Sequence, residues 1–448
     1  MKAKQAIAAT LASVMVVSLL AGCGSASSST GTGTSATADA TTTDKAEADT
    51  ATSTADAGTG ENVNLTFWAL STRQDAYEPI TEQWNSDHPE AQVTVSFYDT
   101  DGIKDACKVA ASSNTLPSMW FNWGGSLGSF YSDNKLTYDL TDYSNEHDWA
   151  NTYSSSALNL CTFDGQLIGI PTSYNVLGFY YRKDIFEKYG LEVPTTFDEF
   201  ESVCAKLKEN GVTPISTAGL NGWHVMRFIE LLIEHYAGAD EHDKMNSFDE
   251  SWDNDYVTQA FEKYKEFVDK GYFPQGFLTA DPNDTNLAVA TGECAMDVQG
   301  QWYDGTITQN GGDPSQYGTF AFPSGGTNRL SSFAEMTQFN KSLSDAELES
   351  AIAFTQYMFS QEVADQYPSC YNLPLPIKGA TIPDGNPNVG TLIETGENNG
   401  TFTITDQAFP TEVADVLFDC QDAVATGTME PSDVGAKIQT AIESYLAK

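Results

Sequence analysis

The sequence predicts an α/β fold, and three observations carry that prediction. Strand and helix patterns alternate as β-α-β-α-β between Leu65 and Trp123, the order that a doubly wound sheet with helices on its faces requires. A second alternating set resumes at Leu167. At 448 residues, 40% hydrophobic and 12% aromatic, the chain has the length for two or three domains and enough apolar side chains for substantial cores.

The first element stands outside that fold. Lys2 and Lys4 precede an uncharged apolar run from Ala6 to Leu20. Its length falls short of the ~20 residues that span a bilayer, so residues 1–22 read as a secretion signal. The run ends Leu19-Leu20-Ala21-Gly22-Cys23, which resembles a bacterial lipoprotein lipobox. That resemblance implies lipidation of Cys23, which becomes the new N-terminus, and anchorage to the membrane through lipid alone on the extracellular face. Residues 24–62 hold 17 Ser/Thr, nine Ala and five Gly, with no aromatic or large aliphatic residue. Such a stretch buries too little surface to offset its chain entropy. It is expected to be a disordered tether reaching about 35 Å on average.

The folded body begins at Val63. Leu65–Leu70 reads as a strand, and Asp75–His88 as a helix with Tyr77, Ile80 and Trp84 at helical spacing, stopped by Pro89. Gln92–Tyr98 alternates Val93, Val95 and Phe97 as a strand, Gly102–Ser113 is helical, and Ser118–Trp123 is a third strand. In the second set, Leu167–Pro171 and Leu177–Arg182 read as separate strands. Lys183–Tyr189 is a short helix with Gly190 at its C-cap, and Thr196 with Glu199 forms a capping-box pattern opening a helix to Asn210. Phe228–Tyr236 and Tyr256–Lys270 are amphipathic helices, and Cys294–Val298 is a strand. Asp345–Phe359, Glu412–Ala425 and Ser432–Leu446 are later helices.

Charge narrows the function. With 22 Lys+Arg against 62 Asp+Glu the net charge is −40, which excludes a general nucleic-acid binder and disfavours docking on anionic lipid. Neutral or cationic ligands are favoured. Six cysteines besides Cys23 (Cys107, Cys161, Cys204, Cys294, Cys370 and Cys420) lie too far apart for a CxxC pair. Structural zinc is therefore not expected, while bridges and buried thiols both stay open.

Three segments carry a family resemblance. The first is Asp164-Gly-Gln-Leu-Ile-Gly-Ile-Pro171 followed by Leu177-Gly-Phe-Tyr-Tyr-Arg-Lys-Asp-Ile-Phe-Glu-Lys-Tyr-Gly-Leu191 and Val193-Pro-Thr-Thr-Phe-Asp-Glu-Phe200. The others are Gly292-Glu-Cys-Ala-Met-Asp-Val-Gln-Gly-Gln-Trp302 and Leu116-Pro-Ser-Met-Trp-Phe-Asn-Trp-Gly-Gly125. From Leu65 to Leu446 the chain resembles the extracellular solute-binding proteins of carbohydrate ABC importers, the group that includes maltose-binding protein. The resemblance implies a two-lobed periplasmic-binding-protein-like fold of type II, with the ligand cleft between lobes. Residues 63–173 and about 300–340 would form one lobe, and 174–299 with about 341–448 the other. Crossings are expected near Thr172–Asn175, near Gln299–Gly300 and within Gly325–Asn340. A sugar, most simply an oligosaccharide, would close the lobes by touching both walls and pass to the permease subunits.

Sugars offer flat apolar faces to aromatic rings and hydroxyls to Asp, Asn, Gln, Glu and Arg. Trp302 matches the family's stacking tryptophan, and Gln299 the polar position before it. Tyr174 and Asn175 fall where the family places an acceptor, often Glu, so Asn175 departs from the pattern. Arg73 follows the first strand, where a polar cleft contact is common. Asn122, Trp123 and Gly124 end the third strand, at the carboxyl edge where open sheets bind ligands. Trp223 in a turn before the Phe228 helix, Glu335 at the third crossing and Phe409 near the C-terminus complete the candidates. No cofactor, metal or catalytic residue is expected, and a hinged receptor is expected to be a monomer.

Other readings are weaker. Gly124-Gly-Ser126-Leu-Gly128 matches G-x-S-x-G, yet His147, His224, His235 and His242 sit in no recognisable triad context. The His spacing suits no compact metal site, and Asp240–Asp255 lacks the glycine of a calcium loop. A surface glycosidase, a surface adhesin, and a receptor for a polyol, polyamine or metal chelate remain as alternatives.

Overall fold

A computed structural model describes residues 62–367, 371 and 373–448. The signal sequence, Cys23, the tether up to residue 61 and Cys370 lie outside the described residues.

The strands are β1 (Val63–Leu70), β2 (Ala91–Tyr98), β3 (Met119–Trp123), β4 (Thr162–Phe163), β5 (Gln166–Leu167), β6 (Ile170–Arg182), β7 (Thr213–Ser216), β8 (Cys294–Gly300), β9 (Tyr317–Phe320), β10 (Leu330–Phe339) and β11 (Thr401–Thr403). Nine of them join one sheet in the order β2-β1-β3-β10-β6-β8-β7, with β11 on β10 and β9 on β6. β1 is parallel to β2 and β3, as the βαβαβ reading requires. β10 runs antiparallel to both β3 and β6. β8 runs antiparallel to β6 and parallel to β7.

β6 and β10 join the two lobes. The Glu335–Phe339 end of β10 pairs β3 in the first lobe, and its Leu330–Ser332 end pairs β11. The Leu177–Arg182 end of β6 pairs β8 and β9 in the second lobe. A bulge shifts register between Glu335 and Met336, opposite Ser173 and Pro171. Such bulges redirect a side chain at the point where a strand bends.

Several boundaries differ from the sequence reading, each for a physical reason. Leu167–Pro171 and Leu177–Arg182 are not separate: Ile170–Arg182 is one strand, because β10 pairs the polar stretch at the expected Thr172–Asn175 crossing. The chain does not change lobes at Gln299–Gly300. β9 returns to the same end of β6 that β8 pairs, and the change comes along β10. Residues 345–358 form a helix on the first lobe, where Ala351, Ile352, Phe354 and Met358 pack with Leu65, Phe67 and Trp84. The Phe228 helix starts earlier, at Trp223, with Gly222 (φ 75°) as its N-cap, so Trp223 lies in the first helical turn.

The local signals hold elsewhere. Thr196 and Glu199 form a capping box on the Phe197–Glu209 helix, and Gly190 takes the left-handed C-cap (φ 59°). A second box, Ser344 with Glu347, caps the Asp345–Met358 helix. A larger cluster fills the second lobe with Phe179, Phe200, Ile229, Phe261 and Met296, and continues through Phe409 to Trp120 and Ile103. Cys107, Cys161, Cys204, Cys294 and Cys420 are buried free thiols. No described helix is long and apolar enough to cross a membrane.

Candidate functional site

The site is built where strands of the two lobes end against one another. β3 delivers Trp123, which is 9% exposed, with the Lys104 ammonium 4.9 Å from its ring centre. β8 delivers Gln299 and the chain beyond it Trp302, while β10 delivers Phe333, whose ring centre lies 5.6 Å from that of Trp302. Gly300 is required under that indole, because a Cβ there would run into the ring.

The Trp223–Ala237 helix supplies the central cation. Arg227 lies with its guanidinium carbon 4.6 Å from the Trp223 ring centre and 5.3 Å from that of Trp302. It donates from one terminal nitrogen to the Val298 carbonyl (3.2 Å) and to Gln299 Oε1 (3.4 Å). Burial lowers its pKa to about 10, against the pull of Asp297, Asp406 and Glu230. A polar relay sets Gln299: His224 Nε2 donates to Asp297 Oδ1 (3.0 Å), Gln299 Nε2 donates to Asp297 Oδ2 (3.1 Å), and Trp302 Nε1 donates to Gln299 Oε1 (3.2 Å).

The Thr405–Ala408 turn, tied to the Arg227 helix by the Thr405 N–H donating to Glu230 Oε2 (2.9 Å), adds Asp406 and Gln407 to the same wall. Burial raises the Asp406 carboxyl above its ordinary range, while Lys104 and Arg227 pull it down. The walls touch. Asn221 Nδ2 donates to Asp101 Oδ2 (2.6 Å), and the Ser126 hydroxyl donates to the Asp406 carbonyl (3.2 Å). A cavity of about 60 Å³ remains between Trp123, Trp223, Arg227, Phe333 and Asp406. Arg227 Nε, Trp223 Nε1, Asp406 Oδ1 and Gln407 Oε1 are buried without a protein hydrogen-bond partner. Buried polar groups are nearly always paired, so this concentration around one cavity is the mark of a ligand site.

A second small cavity of about 20 Å³ holds Arg73, Ser173 and Glu335. The Ser173 hydroxyl donates to Glu335 Oε2 (2.8 Å), and Asn175 Nδ2 donates to Ser173 Oγ (2.7 Å). Burial lifts the Glu335 carboxyl, and Arg73 draws it back. Asn175 is fully buried, with Oδ1 unpartnered.

The structure therefore brings Trp123 and Trp223 to one cavity, sets Trp302 and Gln299 against its Arg227 wall, and brings Arg73 and Glu335 to a second cavity beside Asn175. Gly124 and Phe409 are turned elsewhere, while Asn122 lines a groove of about 820 Å³ beside Trp123. Asn122 is committed inside the first lobe: Nδ2 donates to Gln338 Oε1 (2.8 Å) and the Leu127 carbonyl (3.1 Å), and Oδ1 accepts from the Trp123 N–H (2.9 Å). Gly124 donates its N–H to the Ala334 carbonyl (2.8 Å) and packs against Leu160, where a Cβ would collide. Phe409 is wholly buried, 4.8 Å from Trp252 and 5.3 Å from Phe248 between ring centres. Tyr174 pairs its hydroxyl with Thr401 Oγ1 (3.2 Å). Arg227, Asp406, Gln407, Lys104 and Phe333 escaped the sequence reading. One signal was available for Arg227, the single Lys or Arg in an otherwise largely apolar 15-residue helix.

Ser126 follows β3 and opens a helix, as a nucleophile elbow would. Its hydroxyl is spent on a backbone carbonyl rather than an imidazole. Among the described residues no group of three His, Cys, Asp or Glu could hold a metal ion.

The profile of bacterial extracellular solute-binding proteins matches residues 69–365. A multiple sugar-binding protein of Streptococcus mutans is 28% identical over 229 residues, 50% of this chain and 54% of that protein. The matched segments span 30% to 60% of the length of the curated relatives. Among solved structures, a chitin oligosaccharide binding protein superposes with a TM-score of 0.77 at 22% identity, over 85% of this chain and 98% of the other. A raffinose complex of the solute-binding protein RafE gives 0.69 at 18% identity, over 84% and 98%.

Proposed function

Because this chain belongs to the bacterial extracellular solute-binding protein family, we propose that it captures a sugar outside the cell by lobe closure and hands it to an ABC importer. The observation that carries the reading is the inner cavity. Trp123 and Trp223 supply flat apolar faces, with Trp302 packed against the Arg227 and Phe333 that line the same space, and Arg227, Asp406 and Gln407 supply unpaired polar atoms beside them. That combination suits a neutral ring bearing hydroxyls. The printed identities of the relatives, a multiple sugar-binding protein and binders of chitin oligosaccharide and raffinose, support a carbohydrate.

The mechanism is binding without chemistry. Asn221–Asp101 and Ser126–Asp406 join the two walls. A ligand that touches both walls adds its own contacts to theirs and shifts the population toward closure. The lipobox-like Cys23 and the tether after it would hold the receptor at the membrane near its permease.

The test is a thermal-shift screen of the full chain against oligosaccharides, monosaccharides, polyols and polyamines, with each ligand assayed for breakdown. A ligand at 100 times its dissociation constant adds about 2.7 kcal/mol of stability. A shift with an intact sugar that Trp302→Ala abolishes is the expected result. Fragments released from the sugar would make the protein a glycosidase. A shift with polyamines alone would remove the carbohydrate.

A further inference from the structure

Glu230 lies on the Trp223–Ala237 helix one turn beyond Arg227, is 1% exposed and does not line the inner cavity. Its Oε2 accepts from both the N–H (2.9 Å) and the hydroxyl (3.1 Å) of Thr405. Thr405 opens the short Thr405–Ala408 turn, whose next two residues are Asp406 and Gln407. We propose that Glu230 is a positioning residue for the captured sugar, and that through Thr405 it sets Asp406 and Gln407 at the inner cavity. The proposal rests on the reading of that cavity given above.

The turn needs such a support. A helical turn leaves its first backbone N–H groups without partners of its own. Here Gln407 and Ala408 donate to the Ile404 carbonyl and Phe409 to that of Thr405. The Thr405 N–H therefore takes its acceptor from outside the turn, and Glu230 brings it from the helix that also carries Arg227 and Trp223. Asp406, held next in line, is drawn by Lys104 and by Arg227.

Two orphan oxygens show the form in which the acid works. Glu230 Oε1 is buried without a hydrogen-bond partner, and so is Ser331 Oγ on β10, which acts on the same carboxyl. A proton on Oε1 makes it a donor toward Ser331 Oγ, while Oε2 goes on accepting from Thr405. Burial favours that neutral form and pushes the pKa up to about 8. The groups facing the carboxyl are Thr405 and Asp406 from the turn, Ser331 from β10 and Arg227 from its own helix. Glu234, one turn further along, is committed to His242 (2.7 Å) and Arg329 (2.9 Å). Ionisation of Glu230 removes the donor to Ser331 and adds a negative charge that repels Asp406 and competes for Arg227. The turn and the guanidinium then leave the arrangement that the cavity presents.

The experiment is calorimetric titration of the full chain between about pH 6 and about pH 9 with chitin tetrasaccharide, raffinose, maltotetraose and xylotetraose. Parent affinity for the sugar that binds should be level to about pH 7 and fall about tenfold by about pH 9, where about one molecule in ten keeps the neutral acid. Glu230→Gln keeps an acceptor for Thr405 and a donor for Ser331 but cannot titrate. Its affinity should match the parent at about pH 6 and stay level to about pH 9. Glu230→Leu, which removes the acceptor, should lower affinity about tenfold at every pH; should it not fold, Glu230→Gln carries the test. A level parent profile, or an alkaline fall that Glu230→Gln shares, overturns the positioning role alone while Trp302→Ala still abolishes binding. If no sugar of the four binds at any pH, the inner-cavity reading falls and the positioning role with it.

Discussion

Arg227→Met separates what the site demands of the fold from what it provides to a ligand. Burial lowers the guanidinium pKa from 12.5 to about 10, against the pull of Asp297, Asp406 and Glu230, which disfavours the charged form by about 3 kcal/mol. Methionine keeps most of the stem and removes that burden. Against it stand two hydrogen bonds, to the Val298 carbonyl at 3.2 Å and Gln299 Oε1 at 3.4 Å, worth about 1 kcal/mol each. Two cation–π contacts, at 4.6 and 5.3 Å from Trp223 and Trp302, add about 1 kcal/mol each. The opposing sums nearly cancel, so stability should change by no more than about 1 kcal/mol, or about 1 °C in melting temperature. Affinity should behave differently. A charged hydrogen bond to a sugar hydroxyl contributes about 1.5–3 kcal/mol, so its loss predicts a fall of about 10- to 150-fold. Scanning calorimetry and titration of parent and variant measure both quantities. A variant destabilised by more than about 3 kcal/mol with unaltered affinity would show that Arg227 is a structural residue and refute the reasoning.

Two further perturbations bear on the scaffold. Glu230 is buried and accepts from the Thr405 N–H (2.9 Å) and hydroxyl (3.1 Å), and burial pushes its pKa from 4.5 up to about 8. Between those values the folded protein holds a proton that the unfolded chain has released. This contribution is therefore most favourable below about pH 4.5 and declines as pH rises to about 8, by up to about 5 kcal/mol in total. Glu230→Gln cannot titrate, so its stability relative to the parent should rise across that window in urea unfolding. A constant difference from about pH 5 to about pH 8 would sink the assignment. Gly222 has φ 75° and an added Cβ would meet the Phe418 ring, so Gly222→Ala should cost at least about 2 kcal/mol. Because Gly222 caps the turn that carries Trp223, sugar affinity should fall with it. A fully stable variant on thermal melting, binding normally, would count against that placement.

Short-range signals were legible wherever their physics is short-range. Thr196 with Glu199 and Gly190 announce helix ends because caps are satisfied within a few residues. The alternation in β1 to β3 announces a parallel α/β lobe. A motif on one strand and its exit proposes Trp302 and Gln299, and the structure sets both against Arg227. Phe409 shows the limit of that kind of reading: an aromatic in the right stretch of sequence is buried against Trp252.

The sequence by itself determined the capped and strongly amphipathic helices, about half of those described, with the βαβαβ strands of the first lobe, the acidic composition and the family of the fold. Tertiary structure alone decided that Thr172–Val176 is strand, because its partner, β10, lies more than 150 residues away. It alone brought Lys104, Arg227 and Asp406 to one cavity, since each is a single charge in an unrelated segment. Caps and periodicity act over a few residues and leave a local trace. The meeting of distant side chains depends on the register of the crossing strands, which no local window contains.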